Sequence, residues 1–134
     1  MTELTVIEGI GPVYEEKLKG AGIGSCEQLL EEGASKAGRN KIVADSGMSD
    51  TLILKFVNHA DLCRVKGVGG EYAELLEASG VDTVPELAQR NPDNLAAKME
   101  EVNSEKSLVR LVPSAATVTK WVEQAKELPR VITH

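Results

Sequence analysis

Apolar residues along this chain recur at three- and four-residue spacings, and the runs stop at glycine or begin at Ser, Thr or Asn. Tyr14, Leu18 and Ala21 fall at i, i+4 and i+7, one face of a helix that Gly22 ends. Leu52, Ile53, Phe56, Val57, Ala60 and Cys63 form a second stripe, capped by Ser49-Asp50, on what the pattern predicts to be the longest helix. Tyr72, Leu75 and Leu76 repeat the first face, and Gly80 repeats its stop. Ser25–Gln28 and Thr83–Glu86 both read as capping boxes that open short helices. Ser35–Ser46 reads as a further helix, closed by Gly47. Asn91-Pro92 and Pro113-Ser114 open two more, facing inward with Leu95, Ala96 and Met99 and with Val118, Trp121, Val122, Ala125 and Leu128. Asn103–Arg110 is polar and predicts partial loop; Leu4–Ile7 offers barely a turn. No segment keeps a strand period, so the chain reads as all-α.

The pattern is written twice. A shift of 58 positions lays Ile7–Gly33 on Val65–Asn91 without a gap, with 7 identities in 27. Gly9, Gly11, Tyr14, Leu18 and Gly22 meet Gly67, Gly69, Tyr72, Leu76 and Gly80. Further on, Lys55-Phe56-Val57 meets Lys120-Trp121-Val122 at an offset of 65, so the second copy carries a 7-residue insertion, placed near 104–110. The expected organisation is a first helical repeat over 1–62 with its hairpin at 7–12, and a second over 63–134 with its hairpin at 65–70. Each repeat alone is small, which argues for packing into one compact helical domain.

Composition narrows the chemistry. The 134 residues carry 15 basic and 21 acidic side chains, a net charge of −6, which is a poor advertisement for nucleic acid. With one Trp, one Phe and two Tyr, the core must be built of Leu, Val, Ile and Ala; Tyr14 and Tyr72 read as core anchors with a wet hydroxyl. No apolar run approaches the roughly 20 residues of a membrane span, and no basic-then-apolar leader pattern opens the chain, so a cytoplasmic protein with no membrane contact is expected. Cys26 and Cys63 lack ligand spacing and read as reduced thiols; His59 and His134 have no ligand-spaced partner, and no metal or cofactor is expected.

The two hairpins carry the functional signal. Gly-x-Gly with an apolar residue between reverses the chain, because glycine accepts backbone angles that side chains forbid. It also leaves the N–H groups of the following helix bare for an anion. The run Leu62-x-x-Val65-x-Gly67-Val68-Gly69-x-x-x-Ala73-x-x-Leu76 resembles the helix-hairpin-helix motif of many DNA-binding proteins. Leu4-x-x-Ile7-x-Gly9-Ile10-Gly11 with Leu18 is similar, with Glu15 at the usual small position. From Leu4 to Val131 the chain resembles a mainly bacterial family of tandem helix-hairpin-helix proteins known only as a domain of unknown function. The resemblance implies two tandem helix-hairpin-helix-type repeats, and hairpin amides that bind backbone phosphate of DNA or RNA without reading sequence.

Carried onto this chain, Gly67, Gly69, Gly70 and Glu71 would supply the amides, with Lys66 beside them; Lys36, Arg39, Lys41, Lys106 and Arg110 are the further basic candidates. The first hairpin offers Gly9, Gly11 and Val13, but Pro12 has no N–H, and Glu8, Glu15 and Glu16 repel phosphate. Where a basic residue is common, this chain has Val13 and Glu71. Two readings follow: a non-enzymatic module that binds nucleic-acid backbone, and an interaction or scaffold module in which the hairpins are turns and the acidic faces meet an unidentified protein. An enzyme is the weakest reading, since no nucleophile–base pair or carboxylate pair is recognisable and His59 with Cys63, one turn apart, reads as packing.

Overall fold

Eight α-helices and one 3-10 turn account for the regular structure of residues 1–134, all of which are described by a computed structural model; there is no strand. The 3-10 turn Leu4–Val6 leads into α1 (Pro12–Gly20), α2 (Cys26–Glu32), α3 (Lys36–Ser46) and α4 (Asp50–Leu62). Then come α5 (Gly70–Ala78), α6 (Val84–Ala88), α7 (Pro92–Lys106) and α8 (Ala115–Glu127). Most starts are fixed by side chains that accept from bare helical N–H groups: Ser25 from Gln28, Ser35 from Gly38, Ser49 from Leu52, Asn91 from Asn94 and Ser114 from Thr117. The two capping boxes depart from the expected form. Gln28 Oε1 accepts from the Gly24 N–H and Glu86 Oε2 from the Asp82 N–H, each one residue before the cap position. Thr83 makes no cap bond; its hydroxyl donates to Glu86 instead.

The chain divides into two compact units, Met1–Asp61 with Val131–His134, and Leu62–Arg130. The first encloses Leu4, Ile7, Ile10, Leu18, Ile23, Leu29, Ile53, Phe56 and Val57. Its composition corrects the expected division at 62/63, because the last four residues belong with the first unit. Ile132 is buried among the first unit's core residues, the Thr133 N–H donates to the Ala34 carbonyl at 2.8 Å, and Arg39 Nη2 donates to the Thr133 carbonyl at 2.8 Å. An apolar side chain, a backbone hydrogen bond and a bond from the Arg39 side chain hold this tail down.

The second unit closes around Leu75, Leu76, Leu87, Leu95, Met99, Val118, Trp121 and Val122. Its extra length lies where α7 ends. α7 has 15 residues against 11 in α3, which makes it, and not α4 with 13, the longest helix. The loop behind it runs over 107–114 against 47–49, while α6 is two residues shorter than α2. Residues 103–106 are helical, and Ser107 ends the helix in the left-handed region at φ 50°. The Asn103 side chain then replaces a backbone partner, donating to the Val109 carbonyl at 3.0 Å and accepting the Val109 N–H at 2.9 Å. That double bond of the amide to one residue turns a polar stretch into an ordered loop, and Val109 is buried behind it.

Candidate phosphate-binding cleft

Each unit opens its first full helix from a glycine turn, and the two turns share their backbone. Gly9 and Gly67 lie at φ +92° and +93°, a region costly to any residue with a Cβ, and Gly11 and Gly69 at φ −95° and −94°. The Ile10 and Val68 N–H groups donate to the Ile7 and Val65 carbonyls, and both apolar side chains are buried. An aromatic ring lies beneath each turn. A Cβ on Gly9 would stand 3.3 Å from Phe56, and one on Gly67 would stand 3.1 Å from Trp121 Nε1. Tyr14 tilts against Phe56 with ring centroids 5.9 Å apart, and Tyr72 against Trp121 at 5.3 Å.

The turns differ in what faces them. At the second, the N–H groups of Gly69, Gly70, Glu71 and Tyr72 precede the first hydrogen bond of the helix, which Ala73 makes to the Gly69 carbonyl. The Lys66 N–H is already committed to Gln124 Oε1 at 2.7 Å. The Tyr72 hydroxyl donates to the Leu111 carbonyl at 2.8 Å and so pins the long loop beside the turn. A cleft of about 430 Å³ results, walled by Gly67, Gly69, Gly70, Tyr72, Arg110 and Leu111, with the carboxylate-bearing Glu71 also on its wall. Arg110 is exposed and Leu111 is 74 % exposed. Bare amides, a helix N-terminus and a guanidinium on one cleft attract an oxyanion; Glu71 opposes it.

Among the residues singled out from sequence, Gly67, Gly69, Gly70, Glu71 and Arg110 therefore meet. Lys66 is exposed on the turn and Lys106 is exposed at the end of α7, but neither walls the cleft. Tyr72 and Leu111 complete it. The repeat marked Tyr72 as an anchor without showing its hydroxyl bond, and nothing in the sequence marked Leu111.

The first turn starts α1 with Pro12 and Val13, the latter 65 % exposed; Glu8 and Glu16 are exposed around it, and Glu15 lies 3.8 Å from Lys19. Lys36, Arg39 and Lys41 belong to this unit. Lys36 and Lys41 are exposed, Lys41 pairing with Asp45 at 3.3 Å. Arg39 corrects the expectation of a surface cation: it is 7 % exposed, with Nη1 donating to the Gly33 and Ala34 carbonyls and Nη2 to that of Thr133. Its position one turn into α3 aims it at the end of α2 and the docked tail, which supply carbonyls that need a donor.

Neither cysteine forms a disulfide; Cys26 is buried, with Sγ 3.2 Å from the Glu3 carbonyl. Burial pushes the Cys63 thiol up to about 11. A folded value above the unfolded one means the native state holds this proton longer, so its contribution is complete below the ordinary thiol range and is lost as pH rises toward about 11. Stability should therefore fall over that interval, and Cys63→Ala should flatten the fall. Urea midpoints from pH 8 upward measure it, and an unchanged slope in Cys63→Ala refutes it.

The family model described as domain of unknown function (DUF4332) matches residues 8–128. No curated protein and no solved structure matches the chain.

Proposed function

The chain belongs to the DUF4332 family, and we propose that it is a non-enzymatic helix-hairpin-helix module that binds nucleic-acid backbone without sequence specificity. The two units are read as tandem repeats of that motif, of which the second is the binding one. A single observation carries the reading: the bare amides of Gly69–Tyr72 and the exposed Arg110 share one cleft. A phosphate there would accept from the helix N-terminus and pair with the guanidinium. No donor pattern for base edges accompanies them, so affinity would come from backbone charge.

The test is a titration of labelled single- and double-stranded DNA and RNA at several salt concentrations. With Arg110 and at most one further cation engaged, log K against log salt should have a slope of about −1 to −2 on duplex DNA. Arg110→Ala should reduce that slope by about one and weaken all sequences alike. Tyr72→Phe, which frees the loop and keeps the ring, should weaken binding by a smaller factor. Absence of binding at low salt overturns the proposal.

Leu111 favours the second reading, an interaction module, because a large apolar side chain this exposed beside a cleft suits a protein contact. Salt separates the two. Binding of a protein partner that Leu111→Ser abolishes and that added salt leaves intact would displace the nucleic-acid reading.

A further inference from the structure

The first unit holds a buried cation that no carboxylate balances. Arg39 is 7 % exposed, and its guanidinium bonds the Gly33, Ala34 and Thr133 carbonyls rather than a carboxylate. Burial accordingly lowers its proton affinity, with no opposing attraction from an anion. Buried charges are ordinarily paired, because desolvation is only partly recovered from neutral dipoles. The three carbonyls on Arg39 occupy three of the five N–H groups of a guanidinium. The Nε group and one on Nη2 remain.

Arg39 also walls a cleft of about 290 Å³, together with Lys36, Asn40, Asp50, Thr51, Leu54 and His134. Lys36 adds a second positive charge, and Asn40 and Thr51 add an amide and a hydroxyl. The Ser49 hydroxyl caps the Leu52 N–H of α4, which leaves the Asp50 and Thr51 N–H groups without a helical partner at the same wall. Asp50 is the one side-chain carboxylate on it, and the terminal residue His134 brings an imidazole and a main-chain carboxylate to the same wall; the two carboxylates oppose an anion. We propose that this cleft is a binding site for a phosphate group, which Arg39 and Lys36 pair with and Asn40 and Thr51 hydrogen-bond. Donors that come from two helices suit a tetrahedral oxyanion better than a planar carboxylate. The cleft is several times larger than the ion, so it has room for whatever the phosphate is attached to. The site lies in the first unit and does not depend on the cleft at Gly67–Tyr72.

The full chain titrated with inorganic phosphate at constant ionic strength, followed by ¹H–¹⁵N NMR, tests it. The Arg39 Nε–H signal and the amides of Asp50 and Thr51 should shift to saturation. Lys36→Ala with Thr51→Val, both at exposed positions that leave the core intact, should weaken binding by at least about thirtyfold, the loss of one charged and one neutral hydrogen bond. Asp50→Asn should strengthen it. An Arg39 signal that does not move to saturation, or the same affinity in the Lys36/Thr51 variant, overturns the proposal and leaves Arg39 as a carbonyl clamp. A short oligonucleotide in a second arm identifies the source. Displacement of phosphate from these signals assigns the site to nucleic-acid backbone; shifts confined to residues 67–72 and 110 assign it to a free phosphate ester. The Arg110→Ala variant should bind inorganic phosphate here unchanged, so failure of either proposal is visible without the other.

Discussion

Gly38→Ala is expected to destabilise the first unit by about 3 kcal/mol, at a helical position where alanine ordinarily gains about 1 kcal/mol. The sign is reversed by packing. Gly38 sits in the first turn of α3, and a Cβ there would collide with the Glu32 carbonyl oxygen at the end of α2. Backbone cannot swing aside as the end of a side chain can, so the two helices must separate. They have little freedom to do so, because only residues 33–35 join them. Gly20, the last residue of α1, is the control: nothing lies within 4 Å of its Cβ position, and Gly20→Ala should raise stability by about 0.5–1 kcal/mol. Urea denaturation of the two variants measures both signs. Stabilisation in both would show that α2 and α3 do not approach at Gly38.

Arg39→Met is expected to cost about 2–3 kcal/mol, more than any charge change at Lys36 or Lys41. The methionine keeps the volume and removes the buried charge, so the loss isolates the hydrogen bonds. They are not equivalent. The Gly33 carbonyl is left in a buried residue, where an unsatisfied acceptor costs about 1–3 kcal/mol. The Ala34 carbonyl still accepts from the Thr133 N–H, and Thr133 is exposed enough for its own carbonyl to take water. The tail should loosen as well as the core, since one of the three hydrogen bonds that join Thr133 to the body goes through Arg39. Hydrogen exchange of the Thr133 amide should speed up more than that of the core amides in α1. Arg39→Lys should fall between, because an ammonium keeps the charge but lacks the planar fork. A methionine variant as stable as the parent would mean that the three carbonyls find other donors.

Which parts of this could be read in advance follows from the range of the interactions involved. Helix starts at Ser25, Ser35, Ser49, Asn91 and Ser114 are local, each a side chain bonding an amide three residues on, so the order of residues contains them. The turn at Gly67 is local in the same sense, for the positive φ is a property of that residue. Phe56 and Trp121 stand at matching places in the repeat, but only the fold brings each beneath its turn. Charge pattern fails where these succeed. Lys36, Arg39 and Lys41 look alike as a basic cluster, and only the placement of the Gly33, Ala34 and Thr133 carbonyls draws Arg39 inward. The first two come from the neighbouring helix end and the third from 94 residues away.

Residues 103–110 make the same point. Their polarity suggested a loop, yet Asn103 fastens Val109 and extends order through the segment. The cleft then depends on Tyr72 reaching Leu111, 39 residues on. Sequence alone determined that this chain is helical, where its helices begin, and which glycines turn it, because those are interactions between near neighbours. The tertiary structure alone decided that Arg39 is buried, that Arg110 lines the same cleft as residues 69–72, and that the tail returns to the first unit. Each of these rests on partners brought together by packing.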